Sequence, residues 1–266
     1  MENGTRRDRR TRAQRAAAYR SADETYQHYR PSYPPPILDA ALDAVPSSSQ
    51  RVLRVVEVGA GTGLFTSGLL KRSRERHRPI DLTAIEPAQA MAEQLRCREP
   101  GVCVRQASGE DTGLPDQCAD VVVYAQSWHW VDAPRAAAEA TRLIVAGGAL
   151  VLVWNQLDVS VPWVHRLTRI MRSGDVLALD RPTDLHLHFT CVARARTTFV
   201  QRLVPRDVMA LARTRSSYLA APPHRRVHMQ ENLEWYLGEH LGYDANDAVP
   251  LPYLSVAWTY RTTKRR

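Results

Sequence analysis

The sequence predicts an α/β fold, with a mostly parallel seven-stranded sheet, helices on both its faces, and a helical cap inserted after the fifth strand. Three observations carry this. From Val52 to Trp154 short apolar runs alternate with amphipathic segments. Those runs are apolar without interruption, as strands buried on both faces are. After Asn155 the rhythm breaks, and helical patterns dominate until one last strand.

The elements follow in order. Residues 1–20 read as a disordered basic tail, and Ala13 to Tyr29 as helical where it nears the body. Prolines punctuate YRPSYPPPILDAALDAV, whose Ile37, Leu38, Ala41, Leu42 and Val45 share one helical face. Val52 to Val58 is the first strand, and a helix follows its glycines. Ile80 to Ile85 is the second strand, ending at Glu86-Pro87, with Ala88 to Arg96 helical. Gly101 to Gln106 and Ala119 to Tyr124 are the third and fourth strands, and Pro134 to Ile144 is a helix. The fifth strand, Ala149 to Trp154, comes after a Gly147-Gly148 turn. Beyond it, Val161 to Arg172 is an amphipathic helix and 173–190 is irregular. Thr197 to Val204 is a strand, Asp207 to Arg215 and His224 to His240 are helices, and Pro250 to Thr262 closes as a strand.

Composition narrows the class. With 266 residues, 44% hydrophobic and 24% charged, the chain suits one sizeable domain with an insertion. No run approaches the roughly 18 apolar residues of a membrane helix. MENGTRRDRRTRAQR lacks an apolar core behind its charges, unlike a secretory signal, and its two acids argue against a transit peptide, so a cytoplasmic protein is expected. The four cysteines, Cys97, Cys103, Cys118 and Cys191, form no C-x-x-C pair, and neither a disulfide frame nor a metal site is expected. The net charge of +8 sits in the two ends, 1–20 and RTTKRR, leaving a nearly neutral body. Solvated tails explain that pattern better than a nucleic-acid surface does.

The stretch VVEVGAGTGLFT raises the question of ligand. A P-loop needs Lys-Ser/Thr after its last glycine, and Leu64-Phe65 stand there. A dinucleotide fingerprint needs glycine at 64. What remains is E-x-G-x-G-x-G, from Glu57, Gly59, Gly61 and Gly63. An acid just before the turn would repel phosphate; it can favour a cationic ligand or organise the loop's own amides. Glu86, at the end of the next strand, stands where an open α/β sheet offers a carboxylate to a ribose diol. An uncharged or cationic nucleoside suits both acids.

These residues give the chain its resemblance to the class I S-adenosylmethionine (SAM)-dependent methyltransferases, whose sheet is Rossmann-like. EVGAGTG resembles the glycine loop, AIEPAQAM the strand-end acid with its helix, ASGEDTGLPDQCADVVVYAQSWHW the adenine pocket and fourth strand, and RLIVAGGALVLVWN the last helix, turn and fifth strand. The likeness spans Tyr26 to Trp154, with weaker echoes beyond. Val145-Ala146 replace the usual Arg-Pro, and Gly109 a more common alanine. The resemblance implies SAM as donor and S-adenosylhomocysteine as product, without a metal. It places cofactor contacts at Glu57, Gly59, Gly61, Thr62, Gly63, Glu86, Pro87, Ser108, Gly109, Glu110, Gln126 and Tyr29.

The acceptor belongs over the strand ends, at Ala125 to Trp130. His129 can take a proton from a hydroxyl or amine, or merely bond neighbouring backbone. The segment also resembles methyltransferases acting on trans-aconitate, juvenile hormone acids and plant aromatic acids, where a tryptophan at the position of Trp130 binds the acceptor carboxylate. Trp128, Tyr26, Tyr33, Arg213 and Tyr218 complete the implied acceptor contacts, with core packing or a surface helix end as their plain alternatives. His186 and His188 alternate as metal ligands can, yet no carboxylate or cysteine spacing supports them.

The expected layout is a tail (1–20), a lid (21–50), a SAM-binding core (51–155), a cap with the sixth strand and C-terminal helices (156–248), and a final strand with its tail (249–266). The expected function is methyl transfer to a small-molecule oxygen, hydroxyl or carboxylate. One rival is an RNA or other nucleic-acid methyltransferase, although AQSWHW lacks the N/D-P-P-Y/F turn of base-amine enzymes. Another is a SAM-binding protein that steers a different reaction. Membrane association is not expected, and oligomeric state is open.

Overall fold

The computed structural model describes residues 28–46, 51–173, 179–185 and 188–263. The expected tail, the helix up to residue 27, Tyr26, His186 and residues 264–266 lie outside them.

Strand β1 (Leu53–Val58) lies inside the sheet, parallel to β2 (Ile80–Ile85) on one side and β4 (Ala119–Ala125) on the other. β2 pairs in parallel with the short β3 (Cys103–Arg105), and β4 with β5 (Ile144–Leu157). With β6 (Phe189–Leu203) and β7 (Val249–Thr262) the order is β3-β2-β1-β4-β5-β7-β6. β7 runs against both its neighbours. Asp158 N–H donates to the Pro252 carbonyl at 2.9 Å, while Arg261 Nη1 donates to the Gly148 carbonyl at 3.1 Å, so numbers fall along β5 as they rise along β7. On the other side Phe199 stacks on Tyr253 and Arg194 lies over Trp258, in the same descending sense. The order reverses between β1 and β4, which makes a crevice at the strands' carboxyl ends.

Two compact units divide the chain. The larger comprises the described part of 32–155, 178–197 and 255–266. Its helix α1 (Pro35–Leu42) begins with proline at its first position, where the missing N–H costs nothing. α1 buries Ile37, Leu38, Ala41 and Leu42; α2 (Leu64–Glu75) buries Phe65 and Leu69. Both join Val55, Val121, Val123, Val151 and Val153 in one core. Burying each Val, Leu, Ile or Phe side chain among them contributes about 1.5–3 kcal/mol. Helices α3 (Gln89–Arg98) and α4 (Ala133–Leu143) complete the unit, α4 capped by Asp132, whose carboxylate accepts from Arg135 N–H.

The smaller unit, the described part of 1–31, 156–177 and 198–254, has its own core of Val164, Leu167, Val208, Leu211, Leu233 and Tyr236. It holds α5 (Pro162–Met171), α6 (Pro205–Arg213), α7 (Ser216–Leu219) and α8 (Pro223–Trp235), followed by a π-turn, Tyr236–His240.

Three expectations need correction. The fifth strand starts at Ile144, because Gly147-Gly148 form a bulge inside it, with a register shift opposite Ala119 and Val121. The sixth starts at Phe189, eight residues early: an edge strand with one exposed face reads as polar. The third shrinks to three residues at the opposite edge. The last long helix spans the expected residues, its final turn, Tyr236–His240, being π.

Candidate functional site

The site is built at the carboxyl ends of β1, β2 and β4, within the larger unit. Beyond Val58 the chain turns sharply, and Gly59 and Ala60 N–H donate to the Ile85 carbonyl at 2.8 and 3.1 Å. Gly61 and Gly63 adopt φ of 58° and 87°, a region that favours glycine. A Cβ on Gly59 would lie 2.5 Å from Ser127 Cβ, and one on Gly63 2.3 Å from Leu95 Cδ1. Those two glycines are packed against protein. Gly61 is different: its nearest neighbour would be Met91 Sδ at 3.9 Å, so this side of the turn is open.

The two acids divide the work differently from the expectation. Glu57 is buried, and the Thr66 hydroxyl donates to its Oε2 at 2.6 Å. Burial pushes its carboxyl up to about 8, Thr66 pulls the other way, and neighbouring Glu86 adds to the rise. The loop amide instead belongs to Glu86: Gly61 N–H donates to Oε2 and Ala88 N–H to Oε1, both at 2.8 Å. Glu86 is buried, and its carboxyl is also raised by burial against those two donors. Each oxygen keeps a further lone pair. Pro87 is exposed, its carbonyl accepting from Gln106 Nε2 at 3.3 Å. Thr62 is buried, and its hydroxyl oxygen has no hydrogen-bond partner; its carbonyl accepts from Arg98.

Ser108 is exposed in a bridge to Asp111, while Gly109 is buried. A Cβ on Gly109 would meet Val131 and Val58 at 2.9 Å, which explains glycine where a larger residue is more common. Tyr124 hydroxyl donates to the Gly109 carbonyl at 3.2 Å, and Glu110 Oε1 accepts from Asp132 N–H at 2.8 Å. Glu110 thus fixes the start of α4.

After β4, Gln126 takes φ of 56° and its side-chain amide donates to the Asn155 carbonyl. Ser127 is buried and its hydroxyl donates to the Val58 carbonyl. A 3₁₀ turn, Trp128–Trp130, follows. Trp128 is buried edge-on against Tyr124, with centroids 4.8 Å apart, which is a packing role. His129 is exposed, tilted against half-buried Trp130 at 4.7 Å. Tyr33 stands edge-on to Phe65 at 5.0 Å in the same unit.

Three expected residues belong to the other unit. Tyr29 is half-buried, its carbonyl accepting from Gln201 at 2.9 Å. Arg213 is exposed and donates to Gln230 Oε1 at 2.9 Å; Tyr218 lies beneath the Arg226 guanidinium at 5.6 Å. Sequence reasoning missed Thr66, Ser127 and Asn155, all buried and hydrogen-bonded at the site. Asn155 ends the apolar run GALVLVW, where a buried amide stands out, and that signal could have found it. Among the described residues no group of three or more His, Cys, Asp or Glu could hold a metal, and no helix is long and apolar enough to cross a membrane.

The residues fit a cationic nucleoside. Glu86 has lone pairs for a diol, Gly61 leaves an open approach, and Thr62 holds a buried oxygen without a partner. Glu86 at the turn favours positive charge over phosphate, whereas Glu57, buried and turned to Thr66, adds little to that preference.

Comparison with known proteins agrees. The methyltransferase-domain family matches residues 56–152. An uncharacterized methyltransferase of Mycobacterium tuberculosis is 34% identical over 247 residues, covering 92% of this chain and 96% of its own. One from Schizosaccharomyces pombe is 26% identical over 239 residues, covering 88% and 92%. Among solved structures, one from Anaeromyxobacter dehalogenans, assigned as a type II methyltransferase, superposes with a TM-score of 0.61 at 23% identity, covering 87% of this chain and 96% of its own; that likeness concerns the fold.

Proposed function

Because the chain belongs to the class I SAM-dependent methyltransferases, we propose that it methylates an oxygen, hydroxyl or carboxylate, of a small molecule. The observation that carries the reading is Glu86, a buried carboxylate anchored by Gly61 and Ala88 N–H with lone pairs left for a ribose diol. SAM, when bound, supplies an electrophilic methyl group. Gly61 and Thr62 would lie along it, and Ser108 to Glu110 beside its adenine. Alignment of the acceptor oxygen can lower the barrier by about 7–11 kcal/mol at best, so a rigid site matters more than strong acid–base groups.

On the acceptor side, His129 would take the proton of a hydroxyl, whereas a carboxylate needs no base and would be held by the Trp130 indole N–H. A small acceptor is supported by a turn after β4 that lacks the proline motif of base-amine enzymes, and by basic charge gathered in the tails.

Calorimetric titration with SAM tests the donor site. Glu86→Ala should weaken binding at least tenfold, about 1.4 kcal/mol; wild-type affinity in that variant would remove Glu86 from the site. Incubation of methyl-tritiated SAM with a metabolite extract and with RNA tests the acceptor. Label in small molecules supports the reading, and label only in RNA overturns it. His129→Gln should lower kcat for a hydroxyl acceptor by 10²–10⁴-fold and leave a carboxylate acceptor's kcat unchanged.

A further inference from the structure

The ends of β4 and β5 are joined by more than the sheet ladder. Gln126 holds a left-handed backbone that glutamine seldom adopts. Such a conformation persists where its surroundings over-determine it, and here β5 does so twice. Gln126 N–H donates to the Val153 carbonyl at 2.9 Å, and its side-chain amide to the Asn155 carbonyl. Asn155 is only 5% exposed. Its Nδ2 donates to the Ser32 carbonyl at 3.1 Å, and its Oδ1 accepts from the Ser255 hydroxyl. One buried residue therefore bonds the end of β4, the segment just before Tyr33, and β7. Satisfied buried networks of this kind rigidify what they touch. Directly after Gln126, Ser127 bonds back to Val58 on β1. The turn Trp128–Trp130 is thus hung from β5 on one side and β1 on the other.

We propose that Asn155 and Gln126 are positioning residues for acceptor binding: their clasp sets the orientation of the Trp128–Trp130 turn and couples it, through Ser32, to the segment leading into Tyr33. In this reading Gln126 acts by holding the turn, one Nε2 N–H being spent on the Asn155 carbonyl, rather than by touching the methyl donor. The inference rests on the methyl-transfer reading for what the turn faces, and the clasp itself can be tested without any substrate.

The full chain is labelled with 5-fluorotryptophan, and Trp128, Trp130 and Trp235 are assigned in fluorine spectra by single Trp→Phe replacements. Gln126→Ala should shift or split the Trp128 and Trp130 resonances and leave Trp235 in place. Gln126→Gly keeps the turn's backbone comfortable but lacks the amide, and should give the same change; Asn155→Ala should give a larger one. Affinity for S-adenosylhomocysteine should stay within threefold of wild type in Gln126→Ala. Unmoved Trp128 and Trp130 resonances in Gln126→Ala overturn the proposal, as do wild-type resonances in Gln126→Gly. A more than tenfold loss of that affinity would make Gln126 a cofactor contact and overturn it as well. Should Asn155→Ala not fold, the two Gln126 variants decide. A wild-type chain that fails to bind S-adenosylhomocysteine overturns the methyltransferase reading and leaves the spectral comparison intact.

Discussion

Glu57 is a carboxyl removed from water, and stability must register that. Its folded pKa, pushed up to about 8 by burial, exceeds the unfolded value, so the folded state holds the proton more tightly. The stabilisation is complete at low pH and is lost as pH rises from the ordinary glutamate range through about 8. At about 1.4 kcal/mol per pH unit across that window, the ceiling is about 4–5 kcal/mol. Glu57→Gln keeps an acceptor for Thr66 and cannot ionise. In urea titrations it should therefore be more stable than wild type at pH 9, with the gap closing toward pH 5; a gap independent of pH would contradict the assignment. The sequence made Glu57 conspicuous by its place before the glycines but concealed its partner. Thr66, nine residues on, has the look of any helical threonine. The expectation that Glu57 could organise the loop's amides is corrected by Glu86, which holds Gly61.

At the level of the elements, the glycine turn separates packing from ligand approach. Gly63→Ala adds a left-handed alanine, about 1–2 kcal/mol, and drives its Cβ into Leu95, for a further 1–3 kcal/mol or so of overpacking. Gly61→Ala carries only the first cost, because its Cβ makes no more than an ordinary contact with Met91 Sδ at 3.9 Å. In denaturant melts Gly63→Ala should thus be the less stable of the two by about 1–3 kcal/mol, while Gly61→Ala should lose SAM affinity at least tenfold. Equal melting midpoints would mean that Leu95 simply moves aside. Buried strands were legible because nearly their whole surface is apolar: β4, buried throughout, runs Ala119–Ala125, one residue beyond the expected Ala119 to Tyr124. β6 was not, since VARARTTFVQR alternates around an exposed face bearing Arg194, Arg196 and Arg202. Nor did Gly147-Gly148 announce a bulge, because glycine pairs mark turns and bulges alike.

For the molecule as a whole, the fold up to Trp154 could be read because its strands, glycine turn and helices are short contiguous patterns. The acceptor side could not, because the roles of His129 and Trp130 depend on ring orientation in a 3₁₀ turn that has no periodic signature. Past Asn155 the pattern shows helices without showing which core they serve. That core shares strands with the other: β5 gives Val153 to one and Leu157 to the other, and β7 gives Ala257 and Leu251 in the same way. Ordering β5 or β7 for one core fixes backbone that leads directly into the residues the other core uses, so part of the strand-ordering cost is met once. The chain should unfold in a single transition, although chains with two units often do not. Saturation with S-adenosylhomocysteine at 100 times its Kd should stabilise the whole chain by about 2.7 kcal/mol. Fluorine signals of Trp128 and Trp235, followed through one urea titration, report the two units separately. Coincident midpoints that move together with ligand are expected; a Trp235 midpoint that stays put while that of Trp128 rises would show that shared strands do not make the cores cooperative.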